Sequence, residues 1–262
     1  MENNRYLAQY YENYDEDGRL LSRRGNVEFA TTMRYIEKYL RPGMRVLEIG
    51  AATGRYSHTL ARNGYRVDAV ELIEHNIEIF KNNTQPDENI TIAQGNAKDL
   101  HFIPDNTYDI TLLLGPMYHL YTPEDKLQAL QEALRVTKKG GIVFAAYCMG
   151  DPSIMMYGFK KGLINEIIEK CMLDPVTFET FSKPWDLFEL YRKEDIDALR
   201  SRLPVTQLHF VATDGYVNHM RETVDAMDEA TYDLFLRYHF ATCERQDLVG
   251  YSNHTLDIFR KE

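Results

Sequence analysis

Val46-Leu47-Glu48-Ile49-Gly50-Ala51-Ala52-Thr53-Gly54-Arg55-Tyr56 is the stretch on which the fold turns. Arg45 to Ile49 reads as a short apolar strand, Gly50 and Gly54 bracket a tight turn, and Tyr56 to Arg62 reads as a helix closed by Asn63-Gly64. Glycines there let the chain turn sharply and bring its backbone close to a ligand, while the free N–H groups of the next helix suit an anionic end. A glycine pair alone is a weak signal, because many strand-to-helix turns need one for packing. The signal sharpens at Glu71, 21 residues after Gly50, where a second apolar strand from Arg66 ends in an acid placed to accept from ribose hydroxyls.

The alternation continues outward. Ile73 to Asn82 reads as a helix, Ile90 to Gln94 as a strand, and Tyr108 to Leu114 as the almost wholly apolar strand expected at the centre of a parallel sheet. Glu124 to Thr137 is helical and stops at Lys138-Lys139-Gly140-Gly141, before a strand from Ile142 to Tyr147. A helix from Glu194 to Arg202, a strand from Val205 to Ala212, a long helix from Glu229 to Arg245 and a last strand from Asn253 to Arg260 follow. This rhythm predicts an α/β fold with a doubly wound sheet.

Two segments stand outside it. Residues 1–42 predict an N-terminal helical cap: Tyr6, Tyr10 and Tyr14 share one helical face, and a second helix from Val27 to Leu40 stops at Arg41-Pro42-Gly43. Both a packing helix and a flap over a ligand fit those rings. Residues 150–190 predict an inserted lid, with Met155, Met156, Tyr157, Phe159 and Trp185 as apolar candidates for a substrate pocket or for a small core of its own. The core is then 43–149 with 191–262.

Composition narrows the function classes. The 262 residues carry 40 acidic and 30 basic side chains, a formal charge of −10, which argues against nucleic acid as a partner. Cys148, Cys171 and Cys243 form no paired motif, and no stretch is apolar enough to span a membrane. The first residues show no secretory pattern, so a cytoplasmic location is expected.

With these motifs in place, the chain resembles class I S-adenosylmethionine-dependent methyltransferases of the ubiquinone/menaquinone-methyltransferase type. That family's first motif is an acid followed by Gly-x-Gly-x-Gly; here Glu48 precedes Gly50, Ala51, Ala52 and Gly54, with Ala52 replacing the middle glycine. Gln94-Gly95-Asn96-Ala97 is similar to its adenine-holding Gly-Asp-Ala turn, with Asn96 for aspartate and a carbonyl still able to accept. Asp105 through Leu114 resembles the fourth-strand motif, and Leu134 to Gly141 the turn before strand five. The resemblance covers about residues 44–148, with a weaker match at the C-terminal strand. It implies a Rossmann-like seven-stranded, mostly parallel sheet with the last strand antiparallel. It also implies S-adenosylmethionine as cofactor and S-adenosylhomocysteine as product, contacted by Glu48, Gly50, Ala51, Ala52, Gly54, Glu71, Leu72, Asn96, Ala97 and Leu114. From the cap, Tyr14 and Arg23 are expected at the adenine or sulfonium and at the methionine carboxylate. An NAD-dependent dehydrogenase fits less well, since the third glycine spacing of its fingerprint is missing.

Methyl transfer from a sulfonium is a direct displacement that needs the nucleophile held close and in line. Tyr118 and His119, in Gly115-Pro116-Met117-Tyr118-His119-Leu120 after strand four, are the candidates to orient or deprotonate an acceptor; a structural histidine is the ordinary alternative. His254 is a weaker candidate. No histidine or cysteine grouping has metal-site spacing, so no metal is expected. The expected partner is a small, partly apolar methyl acceptor, with no nucleic acid or membrane, bound by a monomer or homodimer. A protein or RNA methyltransferase and a non-catalytic S-adenosylmethionine-binding protein are the alternatives.

Overall fold

The computed structural model describes residues 2–14 and 22–262, with side chains from residue 5 onward; residues 1 and 15–21 of the predicted cap lie outside the described residues. The seven strands are β1 (Arg45–Ile49), β2 (Arg66–Glu71), β3 (Ile90–Gln94), β4 (Tyr108–Leu113), β5 (Thr137–Cys148), β6 (Val205–Ala212) and β7 (His254–Lys261). They form one sheet in the order β3-β2-β1-β4-β5-β7-β6. β1 to β5 pair in parallel, while β7 runs antiparallel to both β5 and β6. The expected Rossmann-like doubly wound sheet with an antiparallel last strand is therefore present. Strand order reverses between β1 and β4, where such sheets open a crevice at their carboxyl ends.

Most residues of β1, β4, β5 and β7 are buried, as expected of strands covered on both faces. The helices are α1 (Glu2–Tyr11), α2 (Arg23–Tyr39), α3 (Arg55–Arg62), α4 (Glu74–Asn83), α5 (Pro123–Val136), α6 (Gly150–Ser153), α7 (Ile164–Glu169), α8 (Lys193–Arg200), α9 (Arg221–Asp225) and α10 (Glu229–Thr242). α6 continues as a π-helical turn, Ile154–Lys160. Ser22 starts α2 by accepting the Gly25 N–H at 3.2 Å, four residues before the predicted start at Val27. Thr122 does the same for α5, with Pro123 at its first position.

One boundary differs for a clear reason. Lys138 to Gly141, read as a stop, lie inside β5: Thr137 already pairs with Tyr108, and the register resumes at Ile110 with Ile142. The residues between form a bulge tied down by Lys138 Nζ donating to Asp109 Oδ1 at 2.8 Å.

The turn after β1 shows why glycines recur there. Gly50, Ala52 and Gly54 all take left-handed conformations, with φ of 76°, 46° and 93°. The spacing of the motif is thus the spacing of left-handed residues, and Ala52 holds such a position at a cost of about 1–2 kcal/mol. A Cβ on Gly54 would stand 2.5 Å from the Phe80 ring and 2.7 Å from His58 Nε2, so packing alone already requires a glycine here. Gly54→Ala should therefore destabilise the fold by about 1–3 kcal/mol. Ala52→Gly should change stability by less than about 1 kcal/mol, because relief of strain is offset by greater freedom of the unfolded chain. Urea unfolding of the two variants beside the wild type checks both values.

Candidate active site

A cavity of about 990 Å³ opens at the carboxyl ends of the strands, across the β1/β4 reversal. On one wall the loop after β1 is strapped to the end of β2. Gly50 N and Ala51 N donate to Val70 O at 2.8 and 3.2 Å, and Ala52 N donates to Glu71 Oε2 at 2.8 Å. Glu71 Oε1 accepts the Ile73 N–H at 2.9 Å. Burial pushes the Glu71 carboxyl up, against the pull of these backbone donors.

Gly50, Ala52, Glu71, Leu72, Asn96, Ala97, Leu114 and Tyr14 all line this cavity, as do Tyr118 and His119. Asn96 Oδ1 accepts the Lys98 N–H at 3.0 Å, which orients the amide and leaves the second lone pair of its carbonyl and its NH2 for a ligand. Other expected contacts lie elsewhere. Glu48 is buried under the loop, where it accepts from Ser57 Oγ and burial pushes its carboxyl up to about 8. Ala51 packs with Ala69 and Phe80, and Gly54 faces Phe80 and His58. Arg23 donates to Met227 O and its guanidinium lies 5.3 Å from the Tyr232 ring centroid. Its neighbour Arg24 lines the cavity, paired with Asp225 at 3.1 Å. The shift follows from the helix starting at Arg23, which turns consecutive residues about 100° apart.

The other wall is aromatic. Tyr11 O–H donates to His119 Nε2 at 3.2 Å, and His119 Nδ1 donates to Leu187 O at 2.7 Å; since a carbonyl only accepts, this fixes the lone pair on Nε2. Burial pushes His119 down to about 4, outweighing the Leu187 hydrogen bond, so the ring is neutral at pH 7. Tyr10 stacks on Tyr14 at 4.9 Å and meets Phe188 edge-on at 5.7 Å, which joins the N-terminal helix to the 150–190 segment. Of the apolar residues expected to line a pocket from that segment, Tyr157 does so; Met156 is buried, while Met155, Phe159 and Trp185 are 53%, 53% and 57% exposed.

Sequence reasoning missed a third group. Asp214, just after β6, takes His254 Nδ1 at 2.8 Å, and Glu28 Oε2 from α2 lies 3.7 Å from the same nitrogen. Both acids line the cavity with His254. Burial works against a charged ring, but the Glu28 and Asp214 carboxylates hold His254 well above its ordinary range. Asp214 is held low by His254 and Ser252 despite its burial. These three side chains bring ligand-type atoms within 4.8 Å of one another, the one such grouping among the described residues. Asp214 accepts from His254 N, His254 Nδ1 and Asn218 Nδ2, and the Ser252 hydroxyl, 2.6 Å from both Asp214 Oδ1 and the His254 carbonyl, completes the surroundings of a proton-bearing pair.

Comparison with known proteins agrees with this architecture. Residues 47–145 match a methyltransferase domain family. The S-adenosyl-L-methionine-dependent Diels-Alderase iccD of Talaromyces variabilis is 31% identical over 106 residues, 39% of this chain and 35% of that protein. A demethylmenaquinone methyltransferase of Lysinibacillus sphaericus is 28% identical over 137 residues, 50% of this chain and 56% of that protein. The chain thus spans between a third and just over half the length of these curated relatives. Among solved structures, the CcbJ methyltransferase of Streptomyces caelestis shares the fold with a TM-score of 0.60 at 13% identity, covering 97% of this chain and 96% of that one. Residues 47–145 are a class I methyltransferase domain, distantly similar to demethylmenaquinone methyltransferases, and that family implies S-adenosylmethionine as cofactor. The residues present fit it. Glu71 lines the cavity, and the left-handed turn at Gly50 and Ala52 brings backbone alongside it.

The neutral His119 has a measurable consequence. Its folded pKa lies below the ordinary value near 6.5, so the unfolded chain binds more protons between the two. Stability from this residue should be complete above about pH 6.5 and lost as pH falls toward 4. The wild-type stability minus that of His119→Gln should therefore shrink over that window, measured by urea unfolding at a series of pH values.

Proposed function

We propose that this chain is an S-adenosylmethionine-dependent methyltransferase that passes the methyl group to a small, partly apolar molecule by direct in-line displacement. One observation carries the reading: a single cavity of about 990 Å³ is bounded both by Glu71 and the turn after β1 and by Tyr118, His119 and an aromatic wall. That volume stands at the upper end of the usual range of about 300–1,000 Å³ for small-molecule sites, which suits a cofactor and an acceptor together. The formal charge of −10 supports a small molecule over nucleic acid.

The cofactor, when bound, supplies an already activated methyl group. The work left to the chain is holding, drying and proton handling. Glu71, Asn96 and Ala97 hold the nucleoside end. The N-terminal segment 1–42 acts as a cap and 150–190 as a lid, meeting through Tyr6 and Trp185 and through Tyr10 and Phe188, so that together they exclude water. His119 Nε2, whose lone pair is fixed by the Leu187 carbonyl at Nδ1 and accepts the Tyr11 O–H, takes a proton from the acceptor where one must leave, once the acceptor replaces that hydroxyl. Tyr118 forms the floor beside it. Similarity to a protein named as a Diels-Alderase supports a second reading, in which the cofactor is held without transfer.

S-adenosylhomocysteine should bind and raise the melting temperature, whereas NADH should not. Glu71→Ala should weaken that binding roughly ten- to a hundredfold, because hydrogen bonds to a charged acceptor are lost. His119→Ala should keep cofactor affinity and lower turnover, the pattern of a contact made in the transition state. A panel of small hydroxylated, amine and thiol acceptors, read as S-adenosylhomocysteine formed, tests transfer; tight cofactor binding with no product across the panel would favour the second reading.

A further inference from the structure

We propose that His254 seats the methyl acceptor by presenting its Nε2–H to a neutral carbonyl or hydroxyl oxygen, with Asp214 as the positioning residue that fixes it in that role. The proposal rests on the reading of this cavity as a methyl-transfer site.

Hydrogen bonds around Asp214 carry the argument. Its Oδ1 accepts from Ser252 Oγ at 2.6 Å and His254 N at 3.0 Å, and its Oδ2 accepts from His254 Nδ1 at 2.8 Å and Asn218 Nδ2 at 2.6 Å. Three of the roughly four lone-pair sites of the carboxylate take N–H groups, and the fourth faces a Ser252 hydroxyl that also stands 2.6 Å from the His254 carbonyl. Asp214 is 3% exposed, so it cannot serve a ligand directly. What it does is hold the imidazole by Nδ1 and aim the opposite nitrogen. His254 Nε2 makes no hydrogen bond among the described residues, and the ring lines the cavity. This is the geometry by which an acid orients a functional histidine.

The charges facing the ring select its ligand. Glu28 from α2 and Asp214 from the β6 end are both acidic, Cys148 lies opposite in the β5–β7 register, and the Tyr118 ring is 5.9 Å away. Two carboxylates around one imidazolium leave the group net negative, which disfavours an anion. An ammonium group would meet an N–H donor where it needs an acceptor. A neutral oxygen avoids both conflicts. His119, whose ring centroid lies 6.2 Å from that of Tyr118, offers the opposite polarity, an Nε2 lone pair that the Tyr11 hydroxyl caps. An acceptor against Tyr118 that replaces the Tyr11 hydroxyl therefore meets a donor in His254 and a proton acceptor in His119, and should carry a receiving oxygen and a separate O–H or N–H.

Acetophenone serves as a neutral carbonyl probe and phenethylammonium as a cationic control of similar size, each titrated into the full chain with and without S-adenosylhomocysteine. Acetophenone should bind at least about tenfold more tightly than the control and should shift the His254 Nε2 resonance in a histidine-labelled sample. His254→Phe should lose about tenfold in acetophenone affinity, while His254→Gln, which keeps an N–H near the same place, should lose less than about threefold. In Asp214→Asn the ring should give up its proton at lower pH, so acetophenone affinity should fall between about pH 6 and 8 where the wild type stays flat. Equal affinity for the two probes, or unchanged acetophenone binding by His254→Phe, would overturn the proposal. If His254→Phe fails to fold, the wild-type resonance decides: no shift on adding acetophenone overturns it. Failure of S-adenosylhomocysteine to bind wild-type protein would instead count against the cofactor reading, and the probe comparison still stands on the cofactor-free chain.

Discussion

The site depends on one carboxylate. Glu71 ends β2 and receives Ala52 N on one oxygen and Ile73 N on the other, so a single side chain ties the loop after β1 to the start of the next helix. Its burial would disfavour the charge without those donors. Three consecutive N–H groups, from Gly50, Ala51 and Ala52, point to the end of β2, and this requires left-handed conformations at alternate positions. The glycine motif and the acid after β2 are therefore two halves of one constraint.

Much of this was legible in the sequence because it is local or periodic. β6 was bounded correctly at Val205 and Ala212, and Glu71 fell at the end of β2, because hydrophobic runs between turn residues leave few other places to stop. The bulge at Lys138 to Gly141 was not legible, since two lysines and two glycines read as a stop until a neighbouring strand is there to pair with Thr137. The packing demand on Gly54 was not legible, because the motif does not say what a Cβ would strike; Phe80, 26 residues away, decides that. Arg23 and Arg24 could be told apart only once Ser22 fixed the phase of α2. Asp214 was invisible for a related reason: it stands 40 residues from His254, and an acid after a strand has no meaning until its partner is known.

The two cavity histidines show how surroundings assign opposite tasks to one residue type. His119 is half-buried against a carbonyl and aromatic rings, with no carboxylate among the causes of its shift, and it is held neutral. His254 is half-buried too, yet two carboxylates outweigh that desolvation and hold it well above its ordinary range. Sets of groups driven apart in this way mark where proton donors and acceptors are kept ready at the same pH.

Sheet topology explains why the charged group stands where it does. In an all-parallel sheet every strand starts at the edge away from the cavity, so only strand ends and the loops after them reach it. β7 runs the other way, and its first residue, His254, therefore emerges at the same rim as the last residues of β5 and β6. Cys148 ends β5 directly opposite His254, and Asp214 follows β6 two residues after its end. One antiparallel strand thus places the start of one segment beside the ends of two others, and a donor, its orienting acid and the cavity wall meet without any long loop. The β1–β2 side of the rim holds the constraint that suits a nucleoside, and the β5–β7–β6 side holds the polar group left to meet a second molecule. A reaction between two bound molecules needs such a division, and the reversed strand supplies it.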